Sequence, residues 1–167
     1  YYFNSFDTET VGELPSGWVN LDGANWRVGT TNSVSGNNSL GDSTYHIKGI
    51  AAYTGSIPVA NSAMQFSQKV QLDGAQQGAN SGLLMRLSTD GNDGYLFSPD
   101  FGDNIMKIFR RVSGTYTQIG VDYPLGTEFV DGDVAVIKAE IEGSTLRFKA
   151  WKFLETEPTE WSGNLIN

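Results

Sequence analysis

The side chains of this chain that could do chemistry fall into a few groups. Glu140 and Glu142 are two carboxylates two positions apart, so on an extended strand they share one face. A pair of carboxyl groups about 5–5.5 Å apart is what a retaining glycosidase requires. His46 is the single histidine, and any Ser-His-Asp arrangement would have to use it as its base. Asp90-Gly91-Asn92-Asp93-Gly94 gathers oxygen donors and glycines. It is one residue short of a calcium loop of the Asp-x-Asn-x-Asp-Gly kind, and turn chemistry alone accounts for it. Finally, Arg86, Tyr95, Lys138, Arg147 and Trp151 offer planar polar groups and aromatic faces. A sugar needs both: a ring to pack against its C–H groups and polar groups for its hydroxyls.

What positions these residues decides between the readings. Val134 to Glu142 and Thr145 to Trp151 alternate apolar and polar, with Gly143-Ser144 between them. A two-residue loop with glycine first predicts a type II′ turn. The register then follows, with Glu142 opposite Thr145, Ile141 opposite Leu146, Ala139 opposite Phe148 and Ile137 opposite Ala150. The other face pairs Glu140 with Arg147, Lys138 with Lys149 and Val136 with Trp151. A slip of one residue would turn the apolar set to water, so the register is strongly specified. Glu140 is thereby matched to a cation, and a cross-strand ion pair is preferred over a pair of catalytic acids. His46 sits in a strand-like run between Tyr45 and Ile47, and no nucleophile-elbow motif accompanies it. One histidine and no cysteine argue against a zinc or other transition-metal centre. No catalytic residue is assigned, and the chain is read as a non-enzyme.

Composition narrows the partners. The net charge of −8 repels phosphate backbones and, for the same reason, anionic membranes. No apolar run approaches the roughly 20 residues of a membrane span. The absence of cysteine removes disulfides without fixing a compartment. Beginning at Tyr1, the sequence reads as a mature or excised domain.

The remaining elements read as strands. They are expected at Tyr1 to Phe6, Gly17 to Val19, Asn25 to Val28 and Thr44 to Tyr53, with a short one at Ser39-Leu40. Ala63 to Leu72 alternates cleanly, with Met64, Phe66, Val70 and Leu72 on one face. Further strands are expected at Gly82 to Thr89, Tyr95 to Ser98, Ile105 to Val112 and Thr115 to Val121. If Ser113-Gly114 is a two-residue loop, Arg111 and Tyr116 become cross-strand partners and make another exposed patch. One turn of helix is placed in Gly126 to Asp133, and the tail from Phe153 to Asn167 reads as irregular. Strands at this spacing, separated by turn signals, predict an all-β antiparallel β-sandwich of two packed sheets, as a single domain over residues 1–167.

Several stretches also carry a resemblance. They are Phe6-Asp7, Leu14-Pro15-Ser16-Gly17-Trp18, Trp26-Arg27-Val28 and Ser35 to Leu40, then Gly82 to Arg86 with Gly94-Tyr95. Gly143 to Trp151 followed by Glu157-Pro158-Thr159-Glu160-Trp161 completes the set. In this order they resemble concanavalin A-like, laminin-G-like jelly-roll modules of bacterial and phage extracellular proteins. The resemblance implies a non-catalytic carbohydrate-binding module, lectin-like and extracellular, with a polysaccharide or cell-surface glycan as partner. Arg86, Tyr95, Lys138, Arg147 and Trp151 are the expected ligand residues, Arg86 and Tyr95 coming from strands beside the last hairpin. It also implies one structural calcium near the N-terminal strand, with Asp7, Glu9 and Asn38 as oxygen ligands. Glucanases that share the architecture use a Glu-x-Asp cluster on one strand, whose central Asp is missing here. Such modules carry a further strand after the Glu-Pro and Trp segment, where this sequence offers only Ser162 to Asn167, which either closes the sheet itself or leaves that strand to a neighbouring copy. The alternative function is therefore a structural or adhesive module of a virion or filament. It would assemble with itself or a host-protein module through strand edges or its tail.

Overall fold

The computed structural model describes residues 5–21, 25–30, 36–42, 50–53, 61–70, 72 and 82–166. Every strand among them pairs antiparallel, and no helix occurs among them. The chain divides into two compact units, Tyr1–Ile57 and Pro58–Asn167.

In the first unit β1 (Trp18–Leu21) pairs with β4 (Ile50–Tyr53), and β2 (Trp26–Gly29) with β3 (Ser39–Asp42). Gly12 N–H donates to Val28 O and Val28 N–H to Glu13 O, both at 2.8 Å, which ties the preceding loop to β2. Val28 is buried there. Phe6 meets Trp18 edge to face, with centroids 6.1 Å apart. The strands expected at 1–6 and 44–53 lie partly outside the described residues, as does all of His46.

The second unit is a sandwich of two four-stranded sheets. One has the order β12-β11-β10-β5, from Gly163–Ile166, Thr145–Lys152, Val134–Glu142 and Asn61–Lys69. The other has the order β6-β7-β8-β9, from Leu83–Met85, Gly94–Asp100, Ile105–Val112 and Thr115–Pro124. The core between them joins Ile137, Ala139, Ile141, Leu146 and Phe148 of the first sheet to Met85, Phe97, Met106 and Ile108 of the second. Each large side chain here contributes about 1.5–3 kcal/mol by leaving water.

The last hairpin has the register that its alternation predicts, from Glu142↔Thr145 to Val136↔Trp151. Gly143 has φ +57°, the positive value a type II′ turn needs at its first central residue. Ser113 and Gly114 both have positive φ, 48° and 79°. That makes theirs a turn of the type I′ kind, and it pairs Arg111 with Tyr116 as expected. Met64 and Phe66 of β5 lie opposite Ala139 and Ile137, on the core face.

Three expectations are corrected. The strand expected over Gly82 to Thr89 ends at Met85, because Arg86 turns the backbone to φ +50°. Residues 126–133 form a turn rather than a turn of helix: Asp133 N–H donates to Val130 O while Val130 N–H donates to the Asp133 carboxylate. The tail is not irregular throughout, since Gly163–Ile166 pairs with β11 as β12. Its alternation is too short to register, and glycine opens it. That glycine is required, because a Cβ on Gly163 would run into the Phe148 ring opposite.

Candidate functional site

The sheet β6-β7-β8-β9 supplies the site. On its core face the pairs Pro99↔Met106 and Phe97↔Ile108 give way, toward the Ser113-Gly114 turn, to Tyr95↔Arg110. Met85 lies on the other side of Tyr95. Tyr95 is half-buried against the core, whereas Arg110 is exposed. The apolar face therefore becomes polar within one strand step. Arg86, Asp93, Gly94, Tyr95, Arg110, Arg111 and Val112 line a depression of about 350 Å³ at this end.

Its walls are fixed by hydrogen bonds. In the β6–β7 connection Ser88 N–H donates to Asp93 O and Gly91 N–H to Ser88 O, each at 2.9 Å. The Ser88 hydroxyl donates to Asp90 and accepts from the N–H groups of Asn92 and Asp93. The hydroxyl of Ser88, then the Asn92 side-chain amide and backbone N–H, hold the Asp90 carboxyl down at about 2. This loop is fastened to the neighbouring turn. Gly114 N–H donates to Asn92 O, Ser113 N–H to Asp93 Oδ1 and Arg111 Nε to Gly91 O, all at 2.9 Å. Arg111 does not form the exposed patch expected of it: it is only 3% exposed, and its guanidinium carbon lies 4.7 Å from the centre of the Tyr116 ring. Gly94 leaves room where the chain turns back, since a Cβ there would stand 3.0 Å from Met85 O. A left-handed φ at a non-glycine residue is uncommon, and at Arg86 it sends the chain from β6 into this wall.

The structure separates the expected ligand residues. Arg86 and Tyr95 sit together in this depression, but in the opposite sheet from the last hairpin rather than beside it. Lys138, Arg147 and Trp151 lie on the outer face of the hairpin, and the segment after β11 folds over that face. Glu157 Oε1 is 2.8 Å from Lys138 Nζ and 2.7 Å from Lys149 Nζ. Lys149 Nζ also donates to Pro158 O at 2.7 Å, and Lys149 is buried. The Trp161 ring receives Arg147 at 4.7 Å and Lys149 at 4.9 Å. Trp151 is 6% exposed, so the hairpin presents no open indole. Glu140 and Glu142 both engage Arg147, and they line a second depression of about 350 Å³ with Asn61, Ser62, Ala63 and Ile141. The two acids grip one guanidinium rather than facing each other across an open gap.

In the first unit, Asp7 Oδ1 accepts from Asn37 N–H at 2.8 Å and Asn38 N–H at 3.1 Å. These N–H groups, Asn37 first, hold the Asp7 carboxyl below its ordinary range. Glu9 Oε2 accepts from Ser16 N–H at 3.1 Å. The Asn38 side-chain amide donates to Phe6 O at 3.1 Å and to Asp7 O and Glu9 O at 3.5 Å. Asp7, Glu9 and Asn38 are thus neighbours, but Asn38 turns its NH2 rather than its oxygen to the main-chain carbonyls of Phe6, Asp7 and Glu9, and the Glu9 carboxylate is engaged with Ser16. Among the described residues no group of three or more His, Cys, Asp or Glu side chains could hold a metal.

Arg110 and Asp93 escaped sequence reasoning. Asp93 reads there as a turn residue, and Arg110 joins the site only through its pairing with Tyr95. The Arg110-Arg111 dipeptide in an acidic chain was the available signal.

No family model matches the sequence, and no curated protein matches it. Among solved structures the chain is similar to a carbohydrate-binding module, CBM66, from Bacillus subtilis. The two are 17% identical with a TM-score of 0.52, over 89% of this chain and 84% of the other. At that identity the likeness shows the fold: an all-β sandwich of the kind seen in a carbohydrate-binding module.

Proposed function

We propose that this chain is a non-catalytic carbohydrate-binding module of an extracellular protein, taking a sugar in the depression between β6, β7 and β8. The observation that carries the reading is the joining of Arg86, Arg110 and Tyr95 around one concavity with hydrogen-bonded walls. Guanidinium donors are planar and suited to vicinal hydroxyls, and an aromatic side chain beside them supplies an apolar surface. The fold likeness to a carbohydrate-binding module supports it. The assembly alternative draws less support, because the tail is already engaged with Lys138 and Lys149 of its own sheet.

Affinity electrophoresis of the full chain through gels containing a panel of neutral and charged polysaccharides tests this. Retardation by at least one glycan, lost in Arg86→Ala and Tyr95→Ala, is the expected result. Retardation by none overturns the reading.

The same reading includes one structural calcium in the first unit. Phe6 O, Asp7 O and Glu9 O are gathered around the Asn38 side-chain NH2, so an ion would enter among them only if that amide turned its oxygen inward and the Asp7 carboxylate, now held by Asn37 and Asn38 N–H, turned to join them. Calcium takes such carbonyl, amide and carboxylate oxygens. When bound, it would neutralise these oxygens and fasten the loop.

A further inference from the structure

We infer that the second depression, on the outer face of the sheet β12-β11-β10-β5, is a further sugar site, one that takes an uncharged sugar unit by two neighbouring hydroxyls. It shares with the reading above only the class of ligand, since none of its lining residues belongs to the first depression. Its floor follows from register. Ala63 lies opposite Glu140, and Glu140 lies opposite Arg147, so all three share one face. Asn61 lies opposite Glu142, one step nearer the Gly143 turn. Glu140 and Arg147 carry long side chains, whereas Ala63 on β5 carries only a methyl group. That difference in height leaves the hollow of about 350 Å³. The tail covers the same face at Lys138 and Lys149, and the hollow lies beyond it, toward the turn.

The polar groups around the hollow are held but not used up. Arg147 Nε donates to Glu140 Oε1 at 3.1 Å, and Arg147 Nη2 donates to the same oxygen and, at 3.4 Å, to Glu142 Oε2. The Trp161 ring lies 4.7 Å from the guanidinium carbon. Glu140 Oε2, Glu142 Oε1 and Arg147 Nη1 make no further hydrogen bond or ion pair among the described residues. A carboxylate offers about four lone-pair sites, so one guanidinium does not exhaust two of them. Gly143 N–H donates to Asn61 Oδ1 at 3.0 Å, and the Asn61 NH2 group has no partner among the described residues. Two acceptors and two donors thus border one hollow, on strands that fix them before any ligand arrives. Such a mixed set discriminates between ligand classes. An anion would meet both carboxylates, and a cation would meet the guanidinium between them. A hydroxyl both donates and accepts, so a vicinal pair can satisfy a carboxylate and an N–H group together. The volume is within the range of small-ligand sites and suits one sugar ring.

The test is an NMR titration of the isotopically labelled full chain with the methyl glycosides of glucose, galactose, mannose and fructose. It reads the Asn61 side-chain NH2 and the Arg147 Nε–H beside the backbone amides of Gly94 and Tyr95 in the first depression. The expected result is a saturable shift of the Asn61 and Arg147 signals with at least one of the four sugars. Ala63→Leu fills the hollow without altering a charge. It lowers that affinity about tenfold or more with the melting temperature unchanged, because the residue is exposed, and leaves any shift at Gly94 and Tyr95 as in the parent. Glu140→Gln lowers the affinity by a similar factor. Saturable shifts at Gly94 and Tyr95 alone overturn the second site and leave the reading of the first depression in place. Shifts at Asn61 and Arg147 alone support the second site and count against the first. Shifts at neither pair with any of the four sugars overturn the second site, as does parental affinity in Ala63→Leu. A response of Asn61 and Arg147 to methylguanidinium chloride and to none of the sugars also overturns it.

Discussion

The guanidinium carbon of Arg147 lies 4.7 Å from the centre of the Trp161 ring. These residues sit on β11 and in the segment that follows it. Their contact closes the outer face of the last hairpin. The strongest-looking ligand surface in the sequence is therefore the floor under a piece of its own chain. Lys149 is driven further in, between Glu157, Pro158 and the same indole.

Trp151 is a packing residue. Trp151 is buried, so Trp151→Ala leaves a void and lowers stability by about 3–5 kcal/mol, read by chemical denaturation. The fraction that remains folded keeps the glycan affinity of the parent. Loss of binding with unchanged stability would return Trp151 to the ligand site.

Glu157 fastens the tail as a function of pH. Hydrogen bonds from Lys138, then Lys149, hold its carboxyl below the ordinary 4.5. A carboxyl lowered by folding adds stability that is fully present above its unfolded value, about 4.5 here, and lost as pH falls through the lower folded value. Glu157→Gln at neutral pH costs about 1–2 kcal/mol and shifts Trp161 fluorescence to the red. On acidification the parent and the variant converge. Parallel stability curves down to the acid limit would refute the role.

Asp90 keeps the site wall in place. Its carboxyl stands at about 2, lowered from 3.8 first by the Ser88 hydroxyl. Its contribution is complete above about 3.8 and disappears as pH falls through about 2. Carboxyl-carbon NMR of Ser88→Ala finds the Asp90 midpoint moved up toward 3.8, with faster amide exchange at Gly91, Asn92 and Asp93. An unmoved midpoint would show that other groups hold the carboxylate.

The proposed calcium site predicts that calcium stabilises the first unit. Added calcium chloride raises the melting temperature and a chelator reverses the rise, in proportion to the logarithm of concentration above the dissociation constant. Asp7→Ala removes the response. Identical melting curves in calcium and chelator would mean that the Asn38 amide alone joins Phe6, Asp7 and Glu9.

The site was legible in fragments. Arg86 and Tyr95 stand out in the sequence as a cation and an aromatic beside turn signals, and the structure brings them together. Arg110 stayed hidden because its partner Tyr95 lies across a pairing of β7 and β8. Their connection at Phe101 to Asn104 carries no two-residue turn signature to set the register. Lys138, Arg147 and Trp151 share a face, as alternation requires, yet alternation cannot say what lies on top of that face.

The sequence alone determined what period-two alternation and turn chemistry determine. Those are an all-β fold, the register of the Val134–Trp151 hairpin and the pairing of Arg111 with Tyr116, each decided by neighbours a few residues apart. Burial was decided only by tertiary structure. Whether Lys149 met water depended on Glu157, Pro158 and Trp161 folding back over the sheet. Whether Arg110 met a cavity depended on a loop between two other strands. Both are contacts between segments that no local pattern couples, so their outcome appears only once the sheets are stacked and the connections are laid over them.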